Sequence, residues 1–85
     1  MDKQKPVKKF FIGSVTTSIW KNEGKNGPIF STTTKRRYQK DEQWHDTDSL
    51  GEYDLLKAAQ LQIRAASWID YYKRNGSEEP EHGDQ

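Results

Sequence analysis

Leu55, Leu56, Ala59, Ile63, Ala66 and Ile69 recur at helical spacing in the last third of an 85-residue chain, and no other feature constrains the fold as much. The recurrence predicts one helix of about 20 residues. Its start has a signature: Ser49-Leu50-Gly51-Glu52 fits a capping box, with Glu three residues after Ser. Asp48 is expected to help cap beside Ser49, and Asp54 in the first turn complements the helix dipole. Lys73 and Arg74 followed by Asn75-Gly76 mark the stop.

The residues before the helix have a different character. From Lys8 to Trp20 they are aromatic, β-branched or small. Read as one strand, Phe11, Val15, Thr17 and Ile19 share a face, with Ile12 and Trp20 on the other. Gly13 marks a bulge or a bend, and a split there makes two strands of this segment. Asn22 to Pro28 reads as a turn, and Gly24-Lys25-Asn26-Gly27 is too short for a phosphate-binding loop. A strand from Ile29 to about Gln39 follows, with Phe30, Thr32, Thr34, Arg36 and Tyr38 on one face. Ile29, Ser31, Thr33, Lys35 and Arg37 are on the other. After the polar turn Lys40-Asp41-Glu42-Gln43, Trp44 to Leu50 reads as a last strand with Trp44 and Leu50 on one face. The expected fold is therefore α+β: a three- or four-stranded antiparallel β-meander, then one long C-terminal helix packed on the sheet.

Composition bounds the rest. Only 31% of the residues are hydrophobic and 32% are charged, so a single domain over residues 7–75 has a modest core. Residues 1–6 and the acidic tail 76–85 are expected to be disordered. With no cysteine there is no disulfide and no thiolate zinc site. No apolar run is long enough to span a membrane, and no apolar stretch follows Met1–Lys5, so a cytoplasmic protein is expected.

The net charge of +1 hides an asymmetry. Residues 1–40 carry ten Lys/Arg against two acids, and residues 41–85 carry four against eleven. The basic half holds Lys35-Arg36-Arg37-Tyr38-Gln39-Lys40, four cations and an aromatic in six residues. Phosphates take point or forked cations and bases take flat stacking partners, so this pattern suits nucleic acid. Lys8, Lys9, Lys21 and Lys25 extend the candidate surface, and Trp20, Phe30 and Tyr38 supply stacking rings. The plainer explanation is an edge strand guarded by charge against aggregation. Of the three tryptophans, at least one belongs in the core, and Trp20 is expected to be the exposed one.

Catalysis and metal binding find little support. His45-Asp46-Thr47-Asp48 alternates on a strand, so His45 faces away from both carboxylates. No Gly-x-Ser-x-Gly elbow is present. No enzyme activity, cofactor, metal or small-molecule substrate is expected. The paired alanines Ala58-Ala59 and Ala65-Ala66, with Tyr53, Trp68, Tyr71 and Tyr72, leave helix surface that a second subunit could bury, so a homodimer is expected.

Ile12-Gly13-Ser14-Val15, the strand ending in Arg36-Arg37-Tyr38, Trp44, and a helix holding Asp54-Leu55-Leu56 come in an order that resembles the positive-cofactor-four-like transcriptional coactivators, which bind single-stranded DNA. The likeness spans about residues 10 to 70 and is one of layout. It implies a curved antiparallel sheet, a helix-joined dimer and single strands held on basic, aromatic-bearing sheet. Lys21, Lys35, Arg36, Arg37 and Tyr38 are the positions that carry it over. The helix here is longer and richer in alanine, and Asp46 and Asp48 place acids near any phosphate path. Ile19-Trp20-x-Asn22-Glu23 and Trp44-x-Asp46-Thr47-Asp48-Ser49 also resemble a family of small uncharacterised bacterial proteins. The function expected is binding of single-stranded DNA or RNA with little sequence specificity. The competing reading is a protein-interaction adaptor that docks a partner on the aromatic helix face or an open strand edge. A third is an accessory protein of a phage or plasmid.

Overall fold

The computed structural model describes residues 5–76. The polar ends expected to be disordered lie, apart from Lys5, Pro6 and Gly76, outside the described residues. Four antiparallel strands pair in chain order: β1 (Lys8–Ile12), β2 (Val15–Gly24), β3 (Gly27–Lys40) and β4 (Gln43–Thr47). A single 3-10 turn over Glu52–Asp54 leads into α1 (Leu55–Asn75), which packs on one face of the sheet. The α+β meander with one closing helix is thus the fold of this chain, in its four-stranded form.

Three two-residue hairpins set the register. Gly13 takes φ +60° at the first, so Ile12 pairs directly with Val15. Paired residues share a face, and Phe11 therefore points away from Val15 and Ile19 rather than with them. Continuous alternation through Gly13 misassigns this segment, because positions 12 and 15 differ by an odd number. Lys25 and Asn26 make the second hairpin, which is much tighter than a turn from Asn22 to Pro28, and Gly24 pairs with Gly27. A Cβ on Gly24 would come within 2.6 Å of the Ile29 side chain, so glycine is needed there. Asp41 and Glu42 form the third with φ of 54° and 63°, a conformation glycine and asparagine take more cheaply.

The core lies between α1 and the face carrying Val15, Thr17 and Ile19, all fully buried. One cluster joins Val15 to Ala58 and Leu61, with Phe10, Ile12 and Leu50 at its border. The other joins Ile19 to Ala65 and Trp68, with Phe30, Ile69 and Tyr72 around it. The helix thus buries Ala58, Leu61, Ala65 and Trp68. That is not the stripe its apolar spacing predicts. Leu55, Leu56 and Ile63 are exposed, as are Ala59 and Ala66. Both stripes have helical spacing, and the aromatic one wins because Trp68 fills more of the space above the sheet than an isoleucine can. Trp68 meets Phe30 edge-on at 6.0 Å and lies 5.5 Å from Tyr72. Neither Trp68 nor Tyr72 is therefore left for a second subunit, although Tyr53 is 83% exposed.

The helix start also differs from the expected box. Ser49 donates its backbone N–H to the Thr47 hydroxyl, and Gly51 N–H donates to the Asp54 carboxylate at 3.0 Å. The reciprocal pair is thus Gly51 with Asp54, two residues later than Ser49 with Glu52, and Asp54 is the N-cap of α1. Asp48 takes no part and lies 3.7 Å from Lys35. At the other end Gly76 is left-handed at φ +70° and donates to the Tyr72 carbonyl, as the Asn75-Gly76 stop predicts.

Candidate functional site

Opposite the helix the sheet is uncovered. Period two fixes what this open face carries: Lys9 and Phe11 from β1, Thr16, Ser18 and Trp20 from β2, Ser31, Thr33, Lys35 and Arg37 from β3, and Trp44 and Asp46 from β4. The register arranges them in rows across the strands. Lys9, Ser18 and Thr33 share a row, as do Phe11, Thr16 and Lys35. Arg37 faces Asp46 in the next, and Trp44 follows opposite Gln39. Rows lie two residues apart, about 6.8 Å. Trp20 and Trp44 therefore stand at opposite ends of a strip of cations, hydroxyls and one phenyl ring.

The strip is concave. A depression of about 340 Å³ is lined by Lys9, Phe11, Trp20, Lys35, Arg37 and Asp46 among others. A smaller one of about 240 Å³ lies between Phe11, Thr16, Arg37 and Trp44 beside the first hairpin. The backbone N–H of Arg37 bonds the Ser14 carbonyl at 2.9 Å, which holds that hairpin beside β3. Thr16, Ser18 and Thr33 line the floor, and their small side chains leave the sheet accessible there.

Two of the rings have polar partners on this face. Trp20 Nε1 donates to the Thr33 hydroxyl at 3.0 Å, which fixes the indole on the sheet. The Arg37 guanidinium lies 4.6 Å from the Trp44 ring centre, close enough for cation–π attraction. Phe11 and Trp44 are 58% and 59% exposed.

The sequence-predicted site residues divide between the two faces. Lys9, Trp20, Lys35 and Arg37 meet on the open one. Lys8, Lys21, Phe30, Arg36 and Tyr38 turn to the helix side and do structural work there. Lys8 sits over the Phe10 ring and Phe30 is in the core. Lys21 Nζ donates to the Tyr72 hydroxyl at 3.0 Å. Arg36 bonds the Ser49 carbonyl and lies 3.5 Å from Asp54, so it ties β3 to the start of α1. Tyr38 stacks on His45 at 5.3 Å, with Arg36 beside its ring. Lys25 is at the second hairpin and Lys40 closes β3, both away from the depression.

Phe11 and Trp44 were not among the expected site residues. Phe11 is hidden by the parity change at Gly13, and Trp44 by pairing it with Leu50, which lies beyond β4 and packs beside Val15. Trp44, not Trp20, is the most exposed of the three indoles. A two-residue Gly-Ser hairpin was the signal available for Phe11. Among the described residues no helix is long and apolar enough to cross a membrane. No protein-family model, curated protein or solved structure matches the chain.

Proposed function

We propose that the open sheet face binds single-stranded nucleic acid, in the cytoplasm and without catalysis. The observation that carries this reading is the convergence of Lys9, Lys35 and Arg37 with Trp20, Phe11 and Trp44 in one concave strip. Cations of this kind neutralise phosphates, and exposed rings stack on bases at about 1–3 kcal/mol each. A duplex hides its base faces in the stack, so exposed rings can stack only on an unpaired strand. The ring-capped ends of the strip suit an unstacked strand. Of the five positions that carry the coactivator resemblance, Lys35 and Arg37 lie on this face.

The test is fluorescence anisotropy of labelled single and double strands across a salt range, with tryptophan quenching followed in parallel. Three phosphate contacts give a slope of log K on log salt near −2, at about −0.7 for each. Replacing Lys35 and Arg37 with Ala should flatten it by about 1.4, whereas Lys21→Ala should leave it unchanged. Absence of binding at low salt would remove the reading and leave the adaptor alternative.

A homodimer through α1 is the partner arrangement we infer. Leu56, Ala59, Ile63 and Ala66 form an uncovered stripe diametrically opposite the buried one. Two copies packed antiparallel about Ile63 put Ala59 against Ala66, which lets the helices approach closely. The same pairing brings acidic Glu52 of one copy to basic Lys73 of the other.

A further inference from the structure

One feature of the open face does not suit phosphate. Asp46 is exposed beside Lys35 and Arg37, where a carboxylate repels any backbone that approaches. It lies directly across the ladder from Arg37, the position at which opposite charges ordinarily pair. Yet the guanidinium of Arg37 rests on Trp44 instead, and among the described residues Asp46 makes no ion pair. The neighbouring acid, Asp48, does meet its lysine. Asp46 thus keeps its acceptors for a ligand, and Arg37 keeps donors at the edge of its planar group.

Bases differ in what they offer such a pair. A carboxylate accepts N–H bonds and makes two parallel ones only where two donors lie side by side. Of the four common bases in their neutral forms, only guanine places two donors together, N1–H and N2–H. On its other edge are O6 and N7, which are the usual acceptors for arginine. Adenine and cytosine present one amino group each, and thymine one ring N–H. The exposed Phe11 ring lines the same depression from the opposite edge strand, where a neighbouring base of the nucleic acid would lie.

Resting on the nucleic-acid reading above, we propose that Asp46 and Arg37 form a guanine-selective subsite, with Asp46 accepting from N1–H and N2–H while Arg37 donates to O6. The strip then has a preference for guanine at one position within an otherwise sequence-tolerant contact.

The experiment is an anisotropy titration of the full chain with a labelled thymidine strand of about twelve nucleotides. It is repeated with one central guanine, cytosine, adenine or inosine. The expected result is about tenfold tighter binding of the guanine strand, most of it lost with inosine, which lacks the 2-amino group. Asp46→Asn should abolish the preference and bind the thymidine strand as well as before or better, since a repelling charge is gone. Circular dichroism of that variant, altered only at an exposed side chain, should match the parent. Equal binding of all strands by the parent, or an undiminished guanine preference in Asp46→Asn, would overturn the subsite and leave the binding function standing. No binding of any strand would overturn both.

Discussion

Arg36 and Arg37 are neighbours of the same type with opposite duties. Arg36 is half-buried, bonds the Ser49 carbonyl and faces Asp54, whose carboxylate accepts from the Gly51 N–H in the turn before α1. Arg37 lies across the sheet on Trp44. Arg36→Ala should therefore lower stability by about 1–2 kcal/mol, through a lost charge-assisted hydrogen bond and a loosened turn before α1, as read by urea denaturation. Its effect on oligonucleotide affinity should be small. Arg37→Ala should do the reverse: near-parental stability and an affinity reduced by about tenfold. Similar losses of stability in both variants would contradict the division. The sequence shows the alternation of these two residues but not which parity is the outer one. That is decided by where α1 lands, and α1 lands on Val15 and Ile19, the most apolar positions of the long central strand.

At the scale of elements, the hairpins and the helix were legible to different degrees. The end of the helix follows from capping chemistry that is local in sequence, and Gly76 closes α1 where Asn75-Gly76 predicts, whereas its start lies past the expected Ser49 box. Its orientation about its own axis was not legible, because two apolar stripes compete and only the tertiary partner separates them. Trp68 settles it by packing on Phe30 and Tyr72. The price is one buried indole N–H, which finds no acceptor among the described residues. The third hairpin carries a cost of another kind. Asp41 and Glu42 both hold positive φ, which costs a non-glycine residue about 1–2 kcal/mol. Glu42→Gly should relieve part of this and raise the denaturation midpoint, since Asx-Gly is the preferred pair for such a turn. An unchanged or lower midpoint would mean that the turn stores no strain.

The whole molecule is a two-layer slab measuring 44 × 37 × 21 Å. Its radius of gyration, 14.6 Å, exceeds the roughly 12 Å of a compact domain of this length. Both outer surfaces therefore remain large, the open strip on one side and the Leu56–Ala66 stripe on the other. If α1 is the dimer face, sedimentation equilibrium should give twice the chain mass at micromolar concentration, and Ile63→Arg should give the monomer with its helix content kept. A monomeric parent at high concentration would exclude that arrangement. Charge asymmetry was readable from the sequence, since lysines and arginines cluster in the first half. The site was only partly readable. Basic residues were legible, but three of the eight, Lys8, Lys21 and Arg36, secure the helix side, and two of the three rings of the strip were not legible.

The first hairpin, Gly13-Ser14, has a consequence for how this surface can change. It acts as a phase shifter for the edge strand. With two residues in the turn, Lys9 and Phe11 face outward while Lys8 and Phe10 face the helix. One residue more or fewer in the loop, with the β1 sequence untouched, exchanges the two sets if the pairing slips to keep the turn closed. Either phase presents one lysine and one phenylalanine to each side, so β1 tolerates the slip in composition while its outward ring moves by a full residue along the strip. The layout of the open face is thus encoded in a loop length as well as in residue identities, and an insertion or deletion there would retune it in a single step.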